Sequence, residues 1–428
     1  MKDNKKFFLG VFIGMIVMVL LAVGLVDLAF QNRNVRMLLF DTVKNMSTIS
    51  FEETESEKQS NVSGAAIDWN KVTDKEEEIY NTIDEYYLNG IDNDKMKDGI
   101  YKGMVDSLGD PYTVYYNTEE YKQFTSSSSG TYSGIGVAVS QNVTTGAITI
   151  VKTFKKGSGE KEGMKPGDVI YKVEGKKIEG LELSKVVSMI KGKEGTFVKV
   201  TVLRDGKEIE FNLERKKLEV DTVNYRMEDR SGKKIGYISV SEFDEVTASQ
   251  FKSAISELSK EGMEGLVIDL RDNPGGLLDV TCEMLDRMIK KGLLVYTVDK
   301  YGKRVDEDAT DSDSFDKPVA ILVNGNSASA SEVFSGAMKD YKAATLVGTK
   351  TFGKGIVQSI VPFGDGTAMK VTVSKYYTPN GVNIHGTGIE PDVVVELSKD
   401  ATKNGKYDRK YDNQLDKALD VVVDKLKK

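Results

Sequence analysis

The chain has 428 residues, a formal net charge of −7 and 39% hydrophobic residues. This length predicts two or three folded domains, and the composition is that of a globular protein. Charges of both signs are mixed along the chain without a basic stripe, so we expect no nucleic-acid partner. One cysteine, Cys282, and one histidine, His385, exclude an internal disulfide and a Cys/His zinc cluster. No calcium-loop pattern occurs, and we expect neither a metal nor a cofactor.

The N-terminus carries an uncharged apolar run, "FFLGVFIGMIVMVLLAVGLV", at residues 7–26. A helix of this length spans a bilayer, whereas a signal peptide usually has a shorter apolar core and a small-x-small cleavage site. No convincing site follows Val26, so we predict a retained anchor, with a cleaved signal as the alternative. Although three basic residues follow the helix, the short basic head favours an internal N-terminus and an extracytoplasmic remainder.

The next segments change in character along the chain. Residues 31–75 are polar and acidic, which is typical of a linker. Residues 76–110 have apolar positions at helical spacing, which predicts two short helices ending at "GDPY". We interpret these helices as a packing element.

A β-rich region with short helices is predicted from about residue 130 to 215. "GIGVAVSQNVTTGAITIVKTF" indicates two strands around a turn, and "ELSKVVSMIKG" indicates a short amphipathic helix. "TFVKVTVLRDGKEIEFNLER" indicates a hairpin with an Asp-Gly turn. From about residue 232 strands alternate with helices, which predicts a mostly parallel sheet.

Two turns in the β/α region are candidates for a reactive site. "RDNPGG", Arg271 to Gly276, links an apolar strand to a helix, and its backbone N–H groups could face an anion, although an ordinary turn uses the same residues. "NGNSASASEVF" contains three serines at alternate positions. Ser329 and Glu332 fit a capping box, and Ser329 also fits a nucleophile at a helix start; local chemistry leaves both interpretations open.

A serine nucleophile needs a proton acceptor, and the sequence offers two. His385 lies in a Gly-rich loop, where a lone histidine is more often a surface or packing residue than part of a triad. Lys354 lies between two glycines beside apolar strands, and burial could lower its pKa. Gln358 follows four residues later and could orient the amine. A solvated turn lysine is the alternative.

The combined motifs resemble the C-terminal processing peptidases, the tail-specific proteases of the S41 family. The resemblance rests on "NGNSASASEVFSGAMKD", "GTKTFGKGIVQ", "YYTPNG", "GTGIEPDVVV", "LVIDLRDNPGGLL" and "SLGDPYT" in fixed order. "SGIGV" and "GMKPGDVIYKVEGKKI" resemble the PDZ domain that these proteases carry. The similarity covers about residues 76–397.

The resemblance implies a catalytic role for specific residues. It implies Ser329 as nucleophile, Lys354 as base and Gln358 as the supporting amide. Backbone N–H groups of Gly276 and Ala330 would form the oxyanion hole, with Gly275 as the alternative glycine.

The resemblance also implies two further sets of residues. Asp340 matches an aspartate that affects activity, but eleven helical residues rise about 16 Å, so we expect a structural role. The PDZ domain would hold a substrate carboxylate through Gly134, Ile135, Gly136 and Val137.

We therefore expect a multidomain α/β and α+β protein with a transmembrane helix, a PDZ domain and a ClpP/crotonase-like protease core. The expected divisions are a head and anchor, a polar linker, a helical segment, a PDZ domain, a protease core and a C-terminal helix, at residues 1–30, 31–75, 76–115, 116–215, 216–397 and 398–428. The expected function is a membrane-anchored serine endopeptidase of the cell membrane that acts on proteins or peptides with apolar C-termini. A silent PDZ scaffold is the alternative, and an acyl hydrolase or lyase is a weaker one. Homo-oligomerisation stays open.

Overall fold

A computed structural model describes residues 67–427, apart from 143–144, 155, 311–313 and 404–405. The predicted anchor at residues 7–26 and most of the predicted linker lie outside the described residues. Within the described ranges, no helix is both long and apolar enough to cross a membrane.

The helical segment before the β-rich region contains more regular structure than the sequence predicted. Its elements are α1 (Trp69–Tyr86), α2 (Asn93–Asp106), β1 (Val114–Tyr116) and α3 (Thr118–Ser128). The helix predicted from residue 76 begins at Trp69, because Asp68 caps it by accepting a hydrogen bond from the Lys71 N–H. Helix α3 was not predicted; Asn117 and Glu120 start it with a capping box.

The β-rich region forms a six-stranded sheet and a two-stranded sheet, and the larger sheet packs around its own apolar core. Its elements are β2 (Thr131–Gly134), β3 (Val137–Gln141), β4 (Ile148–Thr153), α4 (Ser158–Lys161), β5 (Val169–Val173), β6 (Lys176–Lys177), α5 (Leu183–Ile190), β7 (Phe197–Arg204), β8 (Lys207–Glu214) and β9 (Lys216–Glu219). The sheet order is β3-β4-β5-β7-β8, and β2 pairs with β9 where the chain enters and leaves the region. The predicted helix and the predicted Asp205-Gly206 hairpin are both confirmed, with positive φ at both turn residues.

The β/α region follows from residue 223 and contains two large sheets and a separate two-stranded sheet near its C-terminal end. Its elements are β10 (Val223–Arg230), β11 (Lys233–Val240), α6 (Thr247–Lys260), β12 (Gly265–Asp269), α7 (Leu278–Asp286), β13 (Lys291–Asp299), β14 (Arg304–Thr310), β15 (Val319–Val323), α8 (Ala330–Asp340), β16 (Thr345–Gly348), β17 (Ile356–Pro362), β18 (Ala368–Tyr377), β19 (Val393–Val394), β20 (Thr402–Lys403), β21 (Lys406–Tyr407) and α9 (Asn413–Leu426).

The central sheet has the order β10-β11-β12-β15-β16-β19. All of its neighbouring strands are parallel except the edge strand β10, so the predicted mostly parallel sheet is confirmed. Its strands are apolar on both faces. Leu266, Ile268 and Ile321 pack with the α6, α7 and α8 side, whereas Val267 and Leu322 pack against α9.

A second, antiparallel sheet was not predicted. It joins β1, β18, β13 and β14 in that order, with β17 paired to β18. The stretch "LLDVTCEMLDRMIKKG" at residues 277–292 predicts one helix, but this helix ends at Asp286, because the residues from Lys291 onward pair with β14 instead. Strand β1 adds the segment that precedes the β-rich region to this sheet, with Val114 opposite Lys370.

A buried ion-pair cluster fixes the C-terminal helix to the end of β12. The Arg271 guanidinium donates to Asp269 at 2.6 Å and to Asp412 at 2.8 Å, and it stacks on the Tyr407 ring at 3.8 Å. All three charged side chains are buried. Because an unpaired buried charge costs several kcal/mol, this cluster holds the turn after β12 in one position.

Candidate active site

A cleft of about 280 Å³ lies at the carboxyl ends of β12 and β15. These strands are parallel neighbours, with Asp269 opposite Leu322, so the turns that follow them meet. Five predicted residues line this cleft together, namely Ser329, Lys354, Gln358, Gly276 and Ala330. The structure therefore brings together both candidate turns and the candidate lysine.

Ser329 is the N-cap of α8 and has φ 54° and ψ −116°. L-residues rarely adopt this backbone conformation, and it persists only where surrounding contacts hold it. The turn is held by the Ser327 hydroxyl, which donates to the Leu270 carbonyl at 2.7 Å, and by the Ser331 hydroxyl, which donates to the Asn273 carbonyl at 3.0 Å. The other two serines of the motif are thus structural.

Glu332 is fully buried and connects Ser329 to the lysine loop. Its Oε2 accepts from the Ser329 N–H at 3.0 Å and from the Lys354 N–H at 2.8 Å. Its Oε1 accepts from the Gly353 N–H at 2.7 Å and from the Thr351 hydroxyl at 2.5 Å. The sequence indicated Glu332 only as a helix cap; its role across the site depends on contacts 19 to 22 residues away.

Tyr376 provides a second connection between the same segments. Its buried hydroxyl donates to the Lys354 carbonyl at 2.6 Å and lies 3.1 Å from the Ser329 carbonyl. Strand β18 carries Tyr376, and its ring lines the cleft. The sequence analysis included Tyr376 only as the first residue of the "YYTPNG" motif and gave it no role, because its position depends on the pairing of β18.

Lys354 is half-buried, and its Nζ lies 4.7 Å from the centre of the Tyr112 ring. Burial lowers the pKa of Lys354 below its ordinary value, and the neighbouring charge of Lys370 lowers it further. Asp110 and Glu332 act in the opposite direction. A lysine in this setting is neutral at lower pH than an exposed one, as a general base requires.

Gln358 lies in β17 and lines the cleft with Lys354. Its Nε2 donates a long hydrogen bond to the Thr372 hydroxyl, at 3.5 Å. Thr113, which follows Asp110 and Tyr112, accepts from the Thr372 N–H at 3.1 Å. The "GDPYT" turn therefore contributes to the wall beside Lys354, which the sequence did not predict.

The two glycines after Pro274 differ in whether their backbone N–H already has a hydrogen-bond acceptor. The Gly275 N–H donates to Asn273 Oδ1 at 2.9 Å, whereas the Gly276 N–H has no acceptor within the described chain. Both have positive φ. A Cβ on Gly275 would lie 2.8 Å from the Ser329 Cβ, and one on Gly276 would collide with the Phe243 backbone. Only glycine fits either position.

Two other candidates lie away from the cleft lining. Asp340 ends α8, and its carboxylate accepts from the Asn380 N–H at 2.8 Å. His385 is exposed, and its backbone packs against Gly355. The cleft therefore presents a lysine, rather than this histidine, beside the serine.

The segment Gly134 to Val137 connects β2 to β3. Strand β3 is an edge strand of its sheet. The Gln141 side chain bonds the Leu181 carbonyl and the Leu183 N–H, both at 3.0 Å, and so joins the end of β3 to the start of α5. An open strand edge beside a helix is the arrangement that receives an added peptide strand.

Comparison with known proteins identifies the family. A family model described as Peptidase family S41 matches residues 234–395, a PDZ domain model matches 133–214, and one described as Activating protease CtpB N-terminal domain matches 32–120. A probable CtpA-like serine protease of Staphylococcus haemolyticus (strain JCSC1435) is 40% identical over 338 residues, covering 78% of this chain and 67% of that protein. The chain belongs to peptidase family S41.

A probable CtpA-like serine protease of Staphylococcus aureus (strain N315) is also similar to this S41 chain, at 40% identity over 76% of the chain and 65% of that protein. The S41 chain spans about two thirds of the length of these relatives. Among solved structures, the photosystem II D1 C-terminal processing protease is 28% identical, with a TM-score of 0.45, covering 78% of this chain and 89% of that one. The predicted resemblance to C-terminal processing serine proteases with a PDZ domain is confirmed.

Replacing Glu332 by glutamine in this S41 peptidase should lower its stability by about 3 kcal/mol, because an amide NH₂ would face N–H donors that a buried carboxylate now satisfies. The melting temperature of the purified protein measures this loss. Glu390→Gln is the matched control, since Glu390 pairs with Lys350 at an exposed site and should change stability by less than about 1 kcal/mol. Equal melting temperatures for the two variants would contradict the assigned role.

Proposed function

We propose that this S41 peptidase is a membrane-anchored serine endopeptidase in which Ser329 and Lys354 form the catalytic dyad. The observation that carries the proposal is that both side chains line one cleft, beside a glycine turn with a free N–H. The lowered pKa of Lys354 supports its role as base.

The first half of the reaction forms an acyl-enzyme. Neutral Lys354 Nζ takes the proton of the Ser329 hydroxyl, and Oγ bonds to the carbonyl carbon of the scissile peptide. The N–H groups of Gly276 and Ala330 stabilise the negative charge that develops on the carbonyl oxygen. When the C–N bond breaks, the Lys354 ammonium returns the proton to the leaving amine nitrogen.

The second half restores the enzyme. Lys354 takes a proton from a water molecule, the resulting hydroxide oxygen bonds to the acyl carbon, and the Ser329 Oγ leaves with a proton from Lys354. Tyr112 lies against Nζ and stabilises the ammonium formed in both steps, since an aromatic face attracts a cation. Gln358 orients the amine from β17.

The PDZ domain selects substrates by their C-terminus in this proposal. A peptide would pair with the open edge of β3, and backbone N–H groups from Gly134 to Val137 would hold its carboxylate. Val137 and Val139 are partly buried apolar residues on this strand, which favours substrates with apolar terminal residues.

Replacing Ser329 by alanine, or Lys354 by methionine, should reduce kcat/KM at least about a thousandfold, because each removes a group that takes part in bond formation. Peptide hydrolysis by variants that keep the normal melting temperature measures this. Lys370→Met is the matched control, since Lys370 lines the same cleft and this variant should retain activity at pH values where Lys354 is neutral. A Lys354→Met enzyme with near-normal activity would refute the dyad, and absent labelling of Ser329 by a serine-reactive probe would favour a silent scaffold.

The pH–rate profile of the same assay gives an independent readout. Activity should rise with pH as Lys354 loses its proton, through a pKa below the ordinary value for lysine. Lys370→Met removes a like charge and should move this limb to higher pH. Asp110→Asn removes an opposite charge and should move it to lower pH. Shifts in the same direction would contradict Lys354 as the titrating group.

Amidating the C-terminus of a peptide substrate should lower its kcat/KM by about tenfold, because the PDZ site loses a carboxylate bound by several N–H groups. Acetylating the N-terminus of the same peptide is the control and should change the rate little. Equal cleavage of the free and amidated peptides would remove the support for selection by the C-terminus.

The apolar run at residues 7–26 supports membrane attachment with the peptidase outside the cytoplasm. After expression in cells, the full chain should stay in the membrane pellet through an alkaline carbonate wash, and a chain starting at residue 31 should not. In intact cells, a protease added to the outside should digest the S41 domain. Recovery of the full chain in the wash, or an N-terminus beginning after residue 26, would refute a retained anchor.

A further inference from the structure

Asp244 is a buried carboxylate in the active-site cleft that the proposed mechanism does not use. It lies between β11 and α6, is only 7% exposed, and lines the same cleft as Ser329 and Lys354. The described chain offers its carboxylate oxygens no hydrogen bond or ion pair; only its backbone groups bond, to Thr247. These oxygens are not among the fully enclosed, unpartnered polar atoms of the described chain, so they face the open cleft, where no protein group pairs with their charge.

A structural role as a helix cap does not account for this aspartate. The N-cap of α6 is Val246, and no side chain caps that helix end. The Thr247 hydroxyl accepts a hydrogen bond from the Asp244 N–H at 3.0 Å. The loop conformation therefore depends on the backbone of Asp244 rather than on its carboxylate. The acid group is therefore available to something outside the chain.

Asp244 is close in structure to the glycine turn beside the nucleophile. The preceding residue, Phe243, donates its N–H to the Gly275 carbonyl at 3.0 Å and accepts from the Leu277 N–H at 2.7 Å. Gly275 in turn lies directly against Ser329. Asp244 therefore directly follows a residue that is bonded to the glycine turn beside Ser329.

Among the described residues, no positive charge acts on Asp244, although Lys354 and Lys370 line the same cleft. Burial, followed by the charges of Glu242 and Glu245, raises the pKa of Asp244 to about 6. Phe124 and Ser128 of α3, which also line this part of the cleft, carry no charge. The charges that shift the pKa of Lys354 are those of Lys370, Asp110 and Glu332, and Asp244 is not among them. Above pH 7 the site is therefore an ionised carboxylate without a counter-ion, in an otherwise largely apolar wall.

We propose that Asp244 forms a specificity subsite for a cationic side chain, lysine or arginine, close to the scissile bond of the substrate. This inference rests on the proposed function, because it uses the cleft at Ser329 as the place of cleavage. The ammonium or guanidinium group supplies the partner that the carboxylate lacks, and the alkyl stem packs on the apolar wall. Acidic side chains at the same substrate position are rejected by like charge.

The test uses the full chain and one parent peptide, varied at single positions on either side of the scissile bond with Lys, Gln or Glu. At pH 8 we expect kcat/KM at one position to be about tenfold higher for Lys than for Gln, and lower again for Glu. Asp244→Asn should bring the Lys/Gln ratio to about one and relieve the rejection of Glu. The ratio of kcat/KM values for the Lys and Gln peptides does not depend on the amount of folded enzyme. Melting temperature and Ser329 labelling measure that amount separately.

Glu245→Gln is the matched control, because it removes one charge from the exposed neighbour of Asp244. It should keep the Lys/Gln ratio of the parent enzyme. If the parent enzyme cleaves the Lys, Gln and Glu peptides equally at every position, the subsite is refuted and the dyad stands. The same holds if Asp244→Asn keeps the preference for Lys. If no peptide is cleaved and Ser329 is not labelled, both proposals fail.

Discussion

The buried carboxylate of Glu332 is the interaction on which the site depends. It accepts hydrogen bonds from Ser329, Thr351, Gly353 and Lys354, which belong to two separate segments of the chain. A carboxylate this deeply buried is tolerated only when N–H and O–H donors surround it. The fold therefore cannot bury Glu332 without bringing the serine turn and the lysine loop together, so stability and site geometry are coupled.

The same carboxylate also limits how far the pKa of Lys354 can fall. Burial lowers the pKa of Lys354, and Lys370 adds to that effect, while Glu332 and Asp110 oppose it. A lower pKa makes more of the lysine neutral, but it also makes the amine a weaker base. The negative charges beside Lys354 and the Tyr112 ring therefore balance the neutral fraction of the lysine against the stability of the ammonium that the proposed mechanism requires.

The parts of the molecule that the sequence predicted are those whose signals are local. The apolar strands β12 and β15, the glycine turn and the helix start at Ser329 each follow from a short pattern, and their meeting follows from the parallel sheet. The antiparallel sheet was missed because it joins segments that are distant in sequence, such as Val114 with Lys370 and Tyr296 with Tyr377. Tyr376 and Asp244 could not be found in this way, because their roles arise from contacts distant in sequence.

The chain connects the cleft wall directly to the PDZ domain. Helix α3 contributes Phe124 and Ser128 to the cleft and continues through Gly130 into β2, the strand by which the PDZ domain is attached. The Ser128 carbonyl accepts from the Glu245 N–H at 3.3 Å, and a Cβ on Gly130 would lie 2.9 Å from the Asp244 Cβ. The chain that enters β2 therefore contacts the wall beside Asp244 directly, whereas the Lys354 backbone is held by separate hydrogen bonds to Glu332 and Tyr376.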